Sequence, residues 1–404
     1  MSKPQSIRLG DILRVKHGFA FPGKEFSEDL NFPTLLTPGN FAVGGGFREA
    51  KPKTFSGDFP KEYELQPGDL VITMTDLSKA GDTLGLPAVV PAGRRYLHNQ
   101  RIGLVEVTDP NRLSKNFLAY YLRTDLYRSY ILGTASGSTV RHTSPSRIEA
   151  FDAVLPPLTE QRAIAEVLGA LDDKIAANTQ LAKTSDKLAD SLFRHALISA
   201  TYSDETFADI AKVSGGGTPS TKKPEYWDGE VPWATPTDVT ALSGPYLEKT
   251  SRTISEAGLN ACSSELYPAG SILMTSRATI GAFALAQVLT AVNQGFIVVQ
   301  PNDPSLRFWL FHEMRSRVDE FISLANGATF LELSRGNFKK FQVRKAAPET
   351  MAAFNETAAA LHNSARAALL ENHSLAATRD ALLPQLMSGK LQVKDAEKVL
   401  ESTL

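Results

Sequence analysis

Cysteine is almost absent. Cys262 is the only one in 404 residues, so no internal disulfide can form and a reducing cytosol is the natural setting. No apolar run of the roughly 18 residues that a membrane-spanning helix needs occurs, and the opening MSKPQSIRLGDIL lacks the unbroken apolar core of a secretory signal. Charge of one sign is also missing: 43 Lys+Arg face 44 Asp+Glu, for a formal net charge of −1. That argues against a generally basic nucleic-acid coat but leaves local patches open. The expectation is a cytoplasmic protein that keeps away from membranes.

Catalytic signatures are missing as well. Gly44-Gly45-Gly46 and Gly215-Gly216-Gly217 complete no dinucleotide-binding loop, and no GxxxxGK[ST] phosphate loop occurs. The seven histidines and one cysteine show no zinc-like spacing, so no metal site is expected. No G-x-S-x-G elbow is present. Pro156-Pro157 is flanked by Leu155 and Leu158, not by the polar and aromatic residues that hold a target amino group for methylation. A non-catalytic binding subunit fits these absences better than an enzyme, with a hydrolase of unrecognised site as the remote alternative.

What is present is a repeat. LGDILRVKHG at 9–18 answers FADIAKVSGG at 207–216, and QPGDLVITMT at 66–75 answers YPAGSILMTS at 267–276. Asn99-Gln100-Arg101-Ile102 matches Asn293-Gln294-Gly295-Phe296, and aromatic-rich stretches follow at 116–131 and 306–322. Gly-Ser-Thr at 137–139 then matches Gly-Ala-Thr at 327–329, and each half ends in a long helical pattern. The offset stays near 190–200 residues throughout. Short Val-, Ile-, Leu- and Thr-rich runs between Gly/Pro/Asn turns predict a mostly β body in each half, with helices at the aromatic stretches. Trp227 and Trp233 are expected to be packing anchors.

From Thr159 to about Leu197, Ile164, Leu168, Leu171, Ile175, Asn178, Ala182, Ser185, Ala189, Leu192 and Ala196 recur in steps of four and three. That 3.5-residue period is a coiled-coil seam. Thr159 is the expected cap, and about 39 residues would span roughly 58 Å. The second copy runs from about Thr350 to Met387 on Phe354, Leu361, Ala365, Leu369, Asn372, Leu375, Leu382 and Leu386. Asn178 and Asn372 either fix the register of the seam or face solvent. The division expected is 1–155, 156–200, 201–346 and 347–404, alternating globular domain and helix.

LPPLTEQRAIAEVLGALDDKIAANTQL at 155–181 and GGTPSTKKPEYWDGEVPWATPTDV at 216–239 resemble the central conserved region and a frequent domain opening of the specificity subunits of type I restriction–modification systems. SILMTSRATIG at 271–281, Asn293-Gln294-Gly295-Phe296 and LMSGKLQVKDAE at 386–397 are similar to further recurrent segments of that family. The resemblance covers nearly the whole chain. It implies an α+β fold of two β-rich target-recognition domains, separated by two long helices that pair as an antiparallel coiled coil with pseudo-twofold symmetry. It also implies double-stranded DNA with a split target site as ligand. Two methyltransferase subunits would dock on the helices, restriction subunits would join the larger complex, and S-adenosylmethionine would sit on the methyltransferase. There are departures. The first half opens with Lys16-His17-Gly18-Phe19-Ala20-Phe21 in place of GGTPS, and the second helix, entered by Ala347-Pro348-Glu349-Thr350, lacks Pro-Pro and Glu-Gln. Related systems that only methylate, or that cut through a fused partner, would carry the same signature. The reading from another class is a coiled-coil adaptor whose domains bind protein.

Three windows contain basic residues and no acid: 89–105, 133–147 and 333–345. Base reading needs Arg, Asn, Gln or hydroxyl groups that reach groove edges. The candidates in the first half are Lys16, Arg94, Arg95, Arg101, Ser138, Thr139, Arg141 and His142. In the second half they are Thr218, Ser220, Thr221, Lys222, Arg277, Thr279 and Arg335, with Lys339 and Lys340 meeting phosphates. For Thr218-Pro219-Ser220 the competing reading is a turn held by its own hydroxyls, and for both Asn-Gln pairs a structural turn or a sheet-edge bond.

Overall fold

The computed structural model describes residues 5–78, 80–325 and 331–403; the Gly327-Ala328-Thr329 landmark lies outside the described residues. The chain divides into two compact units, Met1–Asp173 with Leu375–Leu404, and Lys174–Ser374. Each unit therefore takes one globular domain together with a share of both long helices, Leu158–Ala196 and Pro348–Met387. The architecture is α+β.

In the first unit the central sheet is antiparallel and runs in the order Leu13–His17, Ile102–Val107, Leu70–Thr73, Pro87–Val89. Its middle strands, Leu70–Thr73 and Ile102–Val107, are rich in Val, Ile and Leu, and Leu70–Thr73 is buried along its whole length. The second unit repeats the order with Ala211–Gly215, Phe296–Pro301, Ile272–Thr275 and Phe283–Ala286, then adds Tyr246–Leu247. In both units the entering strand pairs antiparallel with the departing one, Gln5–Arg8 with Asp152–Leu155 and Thr201–Thr206 with Gln342–Lys345. A short parallel pair also recurs, Thr34–Leu35 with Tyr96–Leu97 and Trp233–Ala234 with Ala291–Val292.

Each aromatic stretch forms two helices rather than one, Lys115–Tyr121 then Asp125–Thr134, and Arg307–Arg315 then Val318–Ser323. Most of their rings are core: Phe117, Tyr127, Trp309, Phe311 and Phe321 are fully buried. Burying a side chain of this size contributes roughly 1.5–3 kcal/mol.

The first long helix begins at Leu158, one residue before the expected cap. Pro157 O accepts the first helical bond from Gln161 N at 2.9 Å, so Thr159 already lies inside the first turn, exposed. The second starts at Pro348, where proline's missing N–H costs nothing. In the first unit Ile164, Leu168, Leu171, Leu375 and Leu382 are buried. In the second, Asn178 is buried and Ile175, Leu192, Leu361, Leu369 and Asn372 are half-buried. There Asn178 meets Glu371 at 2.7 Å while the Phe193 and Phe354 rings lie 5.3 Å apart, so the two helix segments run antiparallel. Neither asparagine turns to solvent: Asn372 Nδ2 donates to Thr179 Oγ1 at 3.1 Å and Ile175 O at 3.3 Å.

An amide on each helix ties it to its own domain. Gln161 Oε1 accepts from Ser114 N at 2.9 Å while its Nε2 donates to Arg112 O. Asn355 Oδ1 accepts from Trp309 N at 2.9 Å. Each unit also carries a partly buried polar cluster at its helix. In the first unit Asp172 gathers Tyr120 Oη at 2.8 Å and Arg379 at 2.6 Å, with Arg123 at 3.7 Å. In the second, His312 bridges Asp190 at 2.6 Å and His362 at 3.0 Å, and Tyr246 Oη closes on His362 Nδ1 at 2.8 Å.

Candidate nucleic-acid interface

In the second domain a glycine-rich loop is pinned from below. A Cβ at Gly216 would sit 1.9 Å from Val292 O, so only glycine allows this backbone approach; Gly18 meets Asn99 O at 2.1 Å in the corresponding place. A glycine in close backbone contact thus stands at the same place in both openings. Trp233 Nε1 donates to Gly217 O at 3.1 Å and Trp227 Nε1 to Ser220 O at 3.2 Å, the two buried rings meeting edge to face. The anchors thus hold the loop with Thr218, Ser220, Thr221 and Lys222 exposed.

The Asn-Gln pair divides its labour. Asn293 Oδ1 accepts from Gly295 N at 2.8 Å and holds the turn, while Gln294 is exposed and its Oε1 accepts from Thr218 Oγ1 at 2.5 Å. Two open cavities meet at Arg277 and Gln294. One, of about 480 Å³, is also lined by Ser276, Glu332, Arg335 and Lys339. The other, of about 310 Å³, is lined by Thr237, Thr240, Thr279 and Asn293. Arg277 Nη2 forms an ion pair with Glu332 Oε1 at 2.8 Å. Lys340 is exposed but lines neither cavity.

In the first domain the corresponding turn lines a cavity of about 330 Å³ with Asn99, Gln100, Arg101 and Lys53. Two candidates there already hold acidic partners. Arg95 makes a two-pronged pair with Glu64 at 2.6 and 3.0 Å, and Lys16 reaches Glu62 at 3.1 Å over the Tyr63 ring. Arg94, Ser138 and Thr139 are exposed. Arg141 and His142 form a short antiparallel ladder with Asp76 and Thr75. Burial pushes the Asp76 carboxyl up, but bonds from Ser78 and Thr83 outweigh it and hold the group below its ordinary range. Burial also drives His98 down to about 4, so this imidazole is neutral and structural.

Lys53 and Glu332 line these cavities without standing among the candidates. Glu332 lies immediately before the acid-free window that drew attention to 333–345. Both sites present hydrogen-bond donors, hydroxyls and cations on an open surface. That chemistry suits recognition of an anionic, hydrogen-bonding polymer rather than bond cleavage.

A twice-built β-rich domain, each copy joined to long paired helices and each exposing an open cavity beside an Asn-Gln turn, defines a duplicated recognition protein. A sequence-family model described as "Type I restriction modification DNA specificity domain" matches residues 1–184 and 202–344. The chain belongs to that family of type I restriction–modification specificity subunits. It is 37% identical over 143 residues to the MjaIX specificity subunit of Methanocaldococcus jannaschii, covering 35% of this chain and 33% of that one. It is 26% identical over 235 residues to the EcoR124I/EcoR124II specificity subunit of Escherichia coli, covering 55% and 56%. The matches thus span about a third to just over half of these relatives' lengths. The fold is similar to the S subunit of M. genitalium, with a TM-score of 0.58 at 14% identity over 95% of this chain and 96% of that one. Among the described residues, no helix is long and apolar enough to cross a membrane.

Proposed function

We propose that this chain reads a split DNA sequence for a type I restriction–modification complex and performs no chemistry itself. Each domain would read one part of the target at its Asn-Gln cavity. The long helices would set the distance between the two parts, so the intervening base pairs are spanned without being read. The observation that carries this reading is the recurrence, in both domains of a chain of this family, of an open cavity at the same turn, with Lys53 and Arg101 on its lining in the first and Arg277 in the second.

Two methyltransferase subunits would dock on the helices, bringing S-adenosylmethionine, and restriction subunits would join them. An outward line on the first long helix supports docking. Leu181 and Leu188 are each 46% exposed, and the line continues through Ala177, Thr184 and Ser191 at the same four-three spacing. Apolar residues at that period suit a partner helix. The near-zero net charge implies that tight DNA binding needs the partner's surface.

The test is co-expression with the methyltransferase subunit, followed by sequencing of methylated DNA. The expected result is one split motif, together with salt-sensitive binding that is strong in the complex and feeble for the chain alone. Nanomolar, sequence-specific binding by the isolated chain, or methylation without a motif, would overturn the reading.

A further inference from the structure

The two domains share one backbone junction and furnish it with different side chains. In the first, Met74 N donates to Arg101 O at 2.8 Å and Thr143 N donates to Met74 O at 3.0 Å. In the second, Ser276 N donates to Gly295 O at 2.8 Å and Leu333 N donates to Ser276 O at 3.0 Å. The residue after each hub then pairs antiparallel across the junction: Thr75 with His142, and Arg277 with Glu332. Their side chains also meet, Thr75 Oγ1 with His142 Nδ1 at 3.1 Å and Arg277 Nη2 with Glu332 Oε1 at 2.8 Å. These pairs are counterparts, and each adjoins its domain's Asn-Gln turn.

Stability does not explain the second pair. Both members are 43% exposed, and ion pairs so exposed add little. Ala278, the next residue, has a φ of 57°, a left-handed conformation that non-glycine residues rarely take. Strain of that kind is kept where the surroundings demand a particular presentation. The rim also includes Arg335 and Lys339, and among such cations a carboxylate would only weaken a surface made simply to hold phosphates.

We propose that this junction holds the specificity-determining pair of each domain: Arg277 with Glu332 in the second, Thr75 with His142 in the first. The proposal rests on the reading of both domains as DNA-recognition domains. Glu332 pairs with one side of the Arg277 guanidinium at Nη2, and the remaining donors still match the O6 and N7 acceptors of guanine. Glu332 is a positioning residue, fixing the fork and keeping it from swinging to a phosphate. Arg335 and Lys339 on the same rim hold the backbone. Thr75 is buried and positions the exposed His142 through Nδ1, which leaves the other ring nitrogen to read, so the first domain reads a different base at this position.

The test uses the full chain with its methyltransferase subunit and reads the methylated motif by sequencing. Arg277→Thr combined with Glu332→His transplants the first pair into the second domain. The expected result is a change confined to the second half of the motif, with guanine preference at one position falling about tenfold or more. Arg277→Lys keeps the charge and removes the fork; it loses that discrimination while total DNA binding holds. Glu332→Gln relaxes the preference partly. An unchanged motif in both the graft and Arg277→Lys overturns the proposal, and where the graft fails to fold, Arg277→Lys alone decides. If the unaltered chain directs methylation to no split motif, the DNA reading itself fails, whatever the pair does.

Discussion

The two domains grip their helices at equivalent positions with unlike chemistry. Tyr120 and Arg123 in the first correspond to His312 and Arg315 in the second, and each couple reaches a carboxylate on the first long helix. The first cluster, built on Asp172, combines a phenol, two guanidinium groups and a carboxylate, whose ordinary pKa values lie far from neutrality. The second strings a carboxylate, two imidazoles and a phenol into one buried chain. One proton order satisfies that chain: Tyr246 donates to His362, His362 to His312, and His312 to Asp190. Arg315 holds the acidic end through Asp186 and Asp190, Phe308 stacks on His362, and Phe193 stacks on His312. A duplicated frame fixes where polar groups are buried, not which groups they are.

The largest way to separate the two is to remove one anchor from each core. Trp309 is fully buried and touches Phe193 and Phe354, and Phe117 is fully buried in the first domain. Trp309→Ala is expected to cost about 3–5 kcal/mol, and Phe117→Ala a similar amount. Hydrogen exchange followed by peptide should show protection lost across 174–374 in the first variant and across 1–173 in the second. Loss across both units in either variant would mean that the chain unfolds as one cooperative body.

Acid should separate the two clusters next. Burial, reinforced by the neighbouring His312, drives His362 down to about 3 from its ordinary 6.5. The folded pKa is depressed, so the unfolded chain takes up the proton first. This contribution to stability is intact above about 6.5 and falls as pH drops from there toward 3. At pH 5 the loss is about 2 kcal/mol. The Asp190 carboxyl is raised by burial but lowered further by His312 and Arg315, so its own contribution fades only below the ordinary aspartate range. Exchange protection at pH 5 relative to pH 7.5 should weaken in 174–374 through His362 and, by a similar amount, in 1–173 through the buried His98. His362→Gln, which cannot titrate, should flatten the change in 174–374 and leave that in 1–173. An acid response in 174–374 that survives His362→Gln would place its origin outside the buried imidazole chain.

Much of this frame was legible in the sequence. The 3.5-residue period located the long helices to within a residue or two at their starts, because a seam leaves its mark on every turn. Ordered landmarks at one offset showed the duplication, and tryptophan at 227 and 233 announced its packing role because a large ring with one N–H is most easily placed in a core. The polar clusters were not legible. His312 and His362 lie 50 residues apart in sequence, and only the fold brings them to 3.0 Å. Lys16 and Arg95 stood out as cations while Glu62 and Glu64, which neutralise them, passed as ordinary surface acids. A search for positive charge also passes over Glu332, since a carboxylate that orients an arginine has the wrong sign for it.

The smallest expected effect concerns the two asparagines that the repeat places in register. Asn178 Nδ2 donates to Glu371 Oε2, and Lys174 stands 3.6 Å from that carboxylate's other oxygen. Asn178→Leu removes the closer partner of a half-exposed carboxylate and should cost about 1 kcal/mol. Asn372 differs, because among the described residues its buried Oδ1 has no hydrogen-bond partner. Thr179 Oγ1 keeps its bond to Ile175 O at 2.7 Å whether or not Asn372 is there. Asn372→Leu therefore removes an unpaired buried carbonyl at the loss of weak amide bonds, and should leave stability unchanged or raise it by up to about 1 kcal/mol. Urea midpoints of the two variants, compared with the parent chain, measure the difference. Equal losses would show that Asn372 acts by fixing the register of the helix pair, making the two asparagines equivalent in energy as well as in sequence.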